Sequence, residues 1–261
     1  MPRHDTGLDS RPHHGQNTEN YAVDAQHLVK QYKTKTAVDG ITLQISHGET
    51  FGILGTNGAG KTTTVEMIAG LRRPTEGSVQ ILGLDPFTDQ AKARQVLGVQ
   101  LQQAYLHGSL TARELVDLYR SFYPNPLDAE QALAMVELGD KAKTKFDNLS
   151  GGQMQRLSIA LALIGQPQVV ILDELTTGLD PKARRRVWGT IESLSEQTVI
   201  LVSHAMDEVE RLCDRVALID GGRIVTQGTP DQLKETAGTA TLEDAFVALT
   251  GKEIHDDEEE S

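Results

Sequence analysis

A compact apolar strand, Phe51–Leu54, runs directly into Gly55-Thr56-Asn57-Gly58-Ala59-Gly60-Lys61-Thr62-Thr63, and helical character follows from Lys61 to Gly70. Strand, glycine loop, Lys-Thr and helix in this order restrict the chain to an α/β arrangement. The loop must pass from a sheet edge to a helix N-terminus. Its glycines let backbone N–H groups curl around phosphate oxygens, and the helix N-terminus favours anions. Lys61 can reach the β and γ phosphates of a nucleotide, and the Thr62 hydroxyl can ligate Mg²⁺. Asn57, Gly58, Ala59, Gly60, Lys61, Thr62 and Thr63 are therefore candidate nucleotide-binding residues. A glycine turn that merely happens to include a lysine has no need of the flanking strand and helix.

A second apolar run, Val169-Val170-Ile171-Leu172, is suited to the centre of a parallel sheet and ends in Asp173-Glu174. Such a strand delivers Asp173 to the carboxyl edge of the sheet, where it can hold Mg²⁺ through water. Glu174, placed further out, can polarise an attacking water. A solvated strand end would explain two adjacent carboxylates less well, because the strand before them is wholly apolar and a phosphate loop is already present. A third element, Leu149-Ser150-Gly151-Gly152-Gln153, places Ser150 and two glycine amides at a helix start, again an anion-binding geometry.

The remaining pattern organises these pieces. Residues 21–46 read as short strands, and Val79–Leu82 and Val96–Leu101 as further strands, with a short helix over Pro86–Arg94 between them. Thr111, with Glu114 three residues on, caps a helical run that reaches Ser121, and a second helix follows over Leu127–Leu138. Later come helices over Pro181–Leu194, Ala205–Cys213 and Thr241–Leu249. Strands are expected over Val199–Val202 and Val216–Ile219, and the Asp220-Gly221-Gly222 turn leads into Ile224–Thr226 as a hairpin.

The organisation expected is one large domain over 21–251 with a mainly helical insert at about 103–165. Outside it lie a polar leader over 1–20, expected to be disordered, and an acidic tail over 252–261, expected to repel itself and stay solvated. Six of the acidic residues lie between Glu253 and Ser261, so half of the formal net charge of −12 falls there. The acidic balance and the lack of a basic stripe weigh against nucleic acid as a partner. No apolar run approaches the roughly 20 residues needed to span a bilayer. The leader has no apolar region of the secretory kind, and the single Cys213 leaves no intramolecular disulfide.

Leu149–Gln153, continued by Met154-Gln155-Arg156-Leu157, resembles the signature of the nucleotide-binding subunits of ABC transporters. The resemblance runs from about Ala22 to Gly251. It implies a P-loop NTPase core of ABC type, with an antiparallel β subdomain and a helical subdomain, binding ATP and Mg²⁺. By this resemblance Tyr32, ahead of the first sheet strands, stacks on adenine. Gln102, flanked by Gln100 and Gln103, senses Mg²⁺ and the attacking water. Asp180, after Leu179, belongs to a loop crossing a dimer interface, and His204 contacts the γ phosphate. Ser150, Gly152 and Gln153 close on the ATP held by a second copy. The catalytic set is thus Glu174, His204, Gln102 and Lys61, and the metal set Thr62, Gln102 and Asp173.

The resemblance further implies a homodimer with two competent sites, docked on separate integral membrane permease subunits. The expected place is the cytoplasmic face of a bacterial or archaeal cell membrane. Thr241–Gly251, the run Tyr32–Gly40 and the stretch after His204 are similar to a drug and antibiotic resistance branch of exporters, of ABC-2, daunorubicin-resistance-like type. Drugs, an antibiotic, lipids and polysaccharides all remain open as cargo, and a soluble assembly ATPase with the same motifs remains the alternative. Thr56 and Leu175 depart from the family, each standing where proline is usual. Leu175 is expected to loosen the connection from Glu174 to Asp180, since proline stiffens a backbone.

Overall fold

The computed structural model describes residues 21–101 and 106–251. Both expected tails and Gln102 lie outside them. The chain opens with β1 (Val23–Tyr32), β2 (Lys35–Ile45), β3 (Thr50–Leu54), α1 (Lys61–Ile68) and β4 (Glu76–Ile81). Next come α2 (Gln90–Val96), β5 (Leu97–Gln100), α3 (Ala112–Arg120), α4 (Ala129–Met135) and α5 (Gly151–Leu163). The second half holds β6 (Val169–Asp173), α6 (Pro181–Glu192), β7 (Thr198–Val202), α7 (Met206–Leu212) and β8 (Arg215–Asp220). It ends with β9 (Arg223–Gly228), α8 (Pro230–Ala237) and α9 (Leu242–Thr250).

Two sheets organise these elements. One is antiparallel, in the order β2-β1-β4; the other has six strands in the order β5-β6-β7-β3-β8-β9. Within the larger sheet all neighbours are parallel except the β8–β9 hairpin. Every residue of β6 and of β7 is buried, which explains their unbroken apolar runs. Burying each Val, Leu or Ile here contributes about 1.5–3 kcal/mol relative to exposure. Because β6, β7 and β3 are adjacent and parallel, the segments leaving their carboxyl ends emerge side by side. That is where open α/β sheets bind ligands.

Three apolar clusters fill the molecule. The first lies between the antiparallel sheet, α1 and one face of the larger sheet. The second packs α6, α7, α8 and α9 on the other face. The third is the interior of the helical subdomain, built from α3, α4 and α5. Helix α5 serves two of them. Ile159 and Leu163 belong to the second cluster, while Leu157, Ala160 and Leu161 belong to the third. This double duty explains a helix that is apolar around most of its circumference.

Several local expectations change. Residues 21–46 form two long strands of 10 and 11 residues rather than short ones, because they pair along a hairpin from Val23–Ile45 to Tyr32–Lys35. Tyr32 therefore ends the first strand instead of preceding it. The helix expected from Pro86 begins at Gln90. The Asp85 carboxylate accepts from Phe87 N at 2.7 Å and Thr88 N at 3.3 Å, which holds a turn there. The helix expected over Leu127–Leu138 spans only Ala129–Met135 behind its Asp128 cap. Helix α8 is an element beyond those expected; Thr229-Pro230-Asp231-Gln232 is a capping box with Pro at the first turn, and Gly238 is a left-handed stop.

Candidate functional site

The phosphate loop links β3 to α1 and is pinned from outside. Gly60, the N-cap of α1, has φ +107°, and a Cβ there would come within 2.5 Å of the Ala37 carbonyl oxygen. Only glycine fits this position. Gly222, in the β8–β9 turn, donates from its N to Ala59 O at 2.8 Å and accepts from Asp39 N at 2.8 Å. The hairpin turn read from the sequence thus also braces the phosphate loop. Asn57 and Gly58 are exposed at the loop tip.

Lys61 is buried, and its Nζ donates to Gly55 O at 2.8 Å and Thr56 O at 3.2 Å. Burial pulls the ammonium below its ordinary pKa, while Glu174 and then Asp173 oppose that shift by their charge. The lysine therefore lies within electrostatic reach of both carboxylates. Thr62 is exposed and Thr63 half-buried on the first turn of α1, next to Lys61.

Asp173 closes β6 with only 1% of its surface exposed. Its backbone N donates to Gln100 Oε1 at 3.2 Å, so Gln100, the buried neighbour of the predicted Gln102, ties β5 to the end of β6. Glu174 follows in the left-handed region at φ +49°, a conformation uncommon outside glycine. Its N–H donates to Val202 O at 2.9 Å, which holds the turn against the end of β7. His204, just beyond β7, lies with Nδ1 3.6 Å from Glu174 Oε1. The hydrogen bond from His204 first, and its charge, keep the Glu174 carboxyl below the usual carboxylate range against the upward push of burial. A group so held stays ionised at neutral pH and accepts a proton-bearing neighbour such as water. Leu175 is fully buried in the second apolar cluster.

The candidate set is thus divided. Lys61, Asp173, Glu174 and His204 share one edge of the larger sheet. Ser150, Gly152 and Gln153 sit on the helical subdomain. Ser150 caps α5, with Ser150 N donating to Gln153 Oε1 at 2.9 Å and Gln153 N to Ser150 Oγ at 3.4 Å. Gly152 is buried against α6, where a Cβ would come within 2.8 Å of Ala183 Cβ. Ser150 and Gly151 remain exposed. Asp180 caps α6, accepting from Lys182 N at 2.9 Å and Ala183 N at 3.0 Å. Those backbone donors, Ala183 first, hold its carboxyl low.

Tyr32 is 40% exposed at the tip of the antiparallel sheet. Arg72 Nη1 donates to its hydroxyl at 2.7 Å, and Lys30 Nζ and the Arg72 guanidinium lie 5.6 and 5.8 Å from its ring centroid. Arg72 is a ring-orienting residue the motif reading missed, and no local pattern marks it.

Among the described residues no group of three or more His, Cys, Asp or Glu could hold a metal by itself. The hard oxygen donors available are the Asp173 carboxylate and the Thr62 hydroxyl. That pair suits an ion that keeps waters and phosphate oxygens as its other ligands, as Mg²⁺ does. Among the same residues no helix is long and apolar enough to cross a membrane.

Comparison with known proteins gives a consistent picture. A family profile described as ABC transporter matches residues 38–177. The Nod factor export ATP-binding protein I of Burkholderia pseudomallei (strain 1710b) is 40% identical over 221 residues, covering 82% of this chain and 72% of that protein. The linearmycin resistance ATP-binding protein LnrL of Bacillus subtilis (strain 168) is 38% identical over 227 residues, covering 84% and 73%. Among solved structures, an ATP-binding subunit of an ABC transporter superposes with a TM-score of 0.79 at 26% identity, covering 88% of this chain and 99% of that one. A dimeric ATP-binding cassette in a post-hydrolysis state, bound to ADP and Pi, superposes with a TM-score of 0.71 at 30% identity, covering 79% and 98%.

Proposed function

We propose that this chain, which belongs to the ABC transporter family, is the ATP-hydrolysing subunit of an exporter. One observation carries the assignment of its chemistry: Lys61, Asp173, Glu174 and His204 meet at one sheet edge, with His204 3.6 Å from Glu174. Backbone amides of the loop and Lys61 hold the β and γ phosphates of ATP, and Tyr32 offers a ring face to adenine. Thr62 and Asp173 would hold Mg²⁺, with Gln102 as a further ligand; the ion supplies charge neutralisation at the phosphates.

Glu174 orients a water and accepts its hydrogen bond. The water oxygen bonds to the γ phosphorus as the bond from that phosphorus to the β–γ bridging oxygen breaks, giving ADP and phosphate. Glu174 takes the water proton, and His204 and Gln102 steady the charge that develops on the phosphoryl oxygens.

A second copy completes each site. The exposed Ser150 and Gly151, with Gly152 and Gln153 behind them, present a helix N-terminus to the γ phosphate held by the opposite copy, and Asp180 lies at that interface. The dimeric cassette with ADP and Pi supports this reading. Closure and release then drive separate integral membrane permease subunits, with this chain on the cytoplasmic face of a bacterial or archaeal membrane. The export and resistance names of its relatives favour transport over a soluble assembly ATPase. A drug, an antibiotic, a lipid and a polysaccharide all stay open as the cargo.

Glu174→Gln is the decisive variant. It should retain ATP binding, lower hydrolysis by about a hundredfold or more, and accumulate an ATP-dependent dimer on gel filtration. Wild-type turnover in a clean preparation would refute the role of Glu174. Isolation of the wild-type chain from detergent-solubilised native membranes should bring a polytopic protein with it. Capture of soluble proteins alone would move the chain to the assembly class.

A further inference from the structure

Behind the catalytic edge lies a carboxyl that the chemistry above does not use. Glu208, on α7, is fully buried. Its Oε2 accepts from Ser203 Oγ at 2.6 Å, and its Oε1 accepts from Trp188 Nε1 at 3.0 Å. The nearby Thr176 side chain lowers the pKa of the same carboxyl. All three residues are themselves buried.

These residues come from three segments that carry proposed site residues. Ser203 immediately precedes His204, and its Oγ also accepts from Ala205 N at 3.0 Å, so the backbone on both sides of His204 is held by one hydroxyl. Thr176 lies two residues after Glu174. Trp188 lies about two turns into α6, the helix capped by Asp180. Indole N–H is a donor only, so Oε1 must act as acceptor whether or not the carboxyl is protonated. Burial pushes the carboxyl pKa up, against the downward pull of Ser203, Trp188 and Thr176. A group this costly to desolvate is retained where it specifies a geometry that an apolar residue would not.

We propose that Glu208 is a positioning residue that locks the His204 loop and helix α6 into one unit beside the segment following Glu174. It thereby sets the His204–Glu174 contact and transmits movement of Asp180 at the dimer interface to the hydrolytic pair. The inference rests on the ATPase reading and adds to it a coupling element within a single chain.

The test uses the purified full chain and its single tryptophan. Glu208→Gln keeps the side-chain volume but replaces an acceptor pair by one acceptor and one donor. It should lower kcat about tenfold or more while KM for ATP stays within about twofold. Loss of folded protein would also lower apparent kcat at unchanged KM, so kcat is referred to the folded fraction recovered on gel filtration; a merely structural role leaves kcat per folded molecule at the wild-type value. In the Glu174→Gln background ATP should change Trp188 emission, and adding Glu208→Gln should abolish that change. Where Glu208→Gln does not fold, Ser203→Ala serves instead; it leaves the carboxyl its Trp188 partner and should lower kcat about fivefold. Retention of kcat within about twofold in the folded variants overturns the inference. So does an ATP-induced emission change that survives the double substitution, or one absent from Glu174→Gln itself. If these outcomes occur while Glu174→Gln is hydrolytically silent, the ATPase reading stands and only the role of Glu208 falls. If Glu174→Gln turns over normally, both fall.

Discussion

The catalytic edge of the larger sheet and the N-terminus of α5 are both built to meet phosphate, yet they are built in opposite ways. At the edge, charged groups are largely enclosed and feel one another's charge. Lys61 is folded onto loop carbonyls, Asp173 is almost wholly enclosed, and Glu174 is held by His204. At α5 the groups are neutral, Ser150 is exposed, and its hydrogen bonds go to Gln153 within the same helix. A site that must perform chemistry carries the desolvation of its charges in advance. A surface that must close over a charge supplied by another molecule stays neutral and open until it does.

The comparison can be broken at its strongest point first. Lys61→Ala should reduce hydrolysis by about a hundredfold or more and weaken ATP binding in a filter or calorimetric assay, since it removes the principal cation facing the phosphates. An enzyme that kept its turnover would show that the edge is not the chemical site. Next in size is Leu175→Ala. Truncating a fully buried leucine beneath the catalytic turn should destabilise the fold by about 2–4 kcal/mol in urea titration. A loss near zero would show that packing does not anchor this segment.

A smaller effect separates the two regions more finely. Ser150→Ala removes a capping box and should cost about 1 kcal/mol of stability. It should also lower kcat about tenfold. ATP should still bind monomeric protein normally, and the ATP-dependent dimer of the Glu174→Gln background should be lost. Loss of monomer binding would mean that both regions serve the same nucleotide.

The finest distinction is acid sensitivity. The folded pKa of Glu174 is depressed below its ordinary 4.5. Its contribution to stability is therefore complete above that value and is lost as pH falls through the folded pKa. Wild type should lose stability relative to Glu174→Gln on acidification below 4.5. The difference between wild type and Ser150→Ala should stay flat over the same range, because neither Ser150 nor Gln153 titrates. Parallel curves would contradict the division between a charged and a neutral region.

Much of this was legible locally. The phosphate loop, the apolar strand ending in Asp173-Glu174 and the Leu149–Gln153 element are contiguous motifs whose chemistry is written in neighbouring residues. Their elements appeared with the right type, and the boundary errors arose where a side chain made an alternative bond, as Asp85 does before α2. Helix α8 carries an equally local signal in its capping box. What stayed hidden was contributed from far along the chain. Gly222 braces the phosphate loop from the last hairpin, Gln100 ties down Asp173 from the neighbouring strand, and Arg72 meets Tyr32 across forty positions.

The sequence by itself determined the family, the sheet-and-helix class and the kinds of group that act on ATP, because each depends on short-range order: a loop between strand and helix, a carboxylate at a strand end, a cap at a helix start. Tertiary structure alone decided which groups meet. Strand order in the parallel sheet brings residues 61, 173 and 204 together, and burial behind them turns Glu208 from one more acidic residue of an amphipathic helix into the acceptor shared by helix α6 and the segment leading to His204. Hydrogen bonds and desolvation act over a few ångströms of space, and the distance along the chain between their partners carries no sign of them.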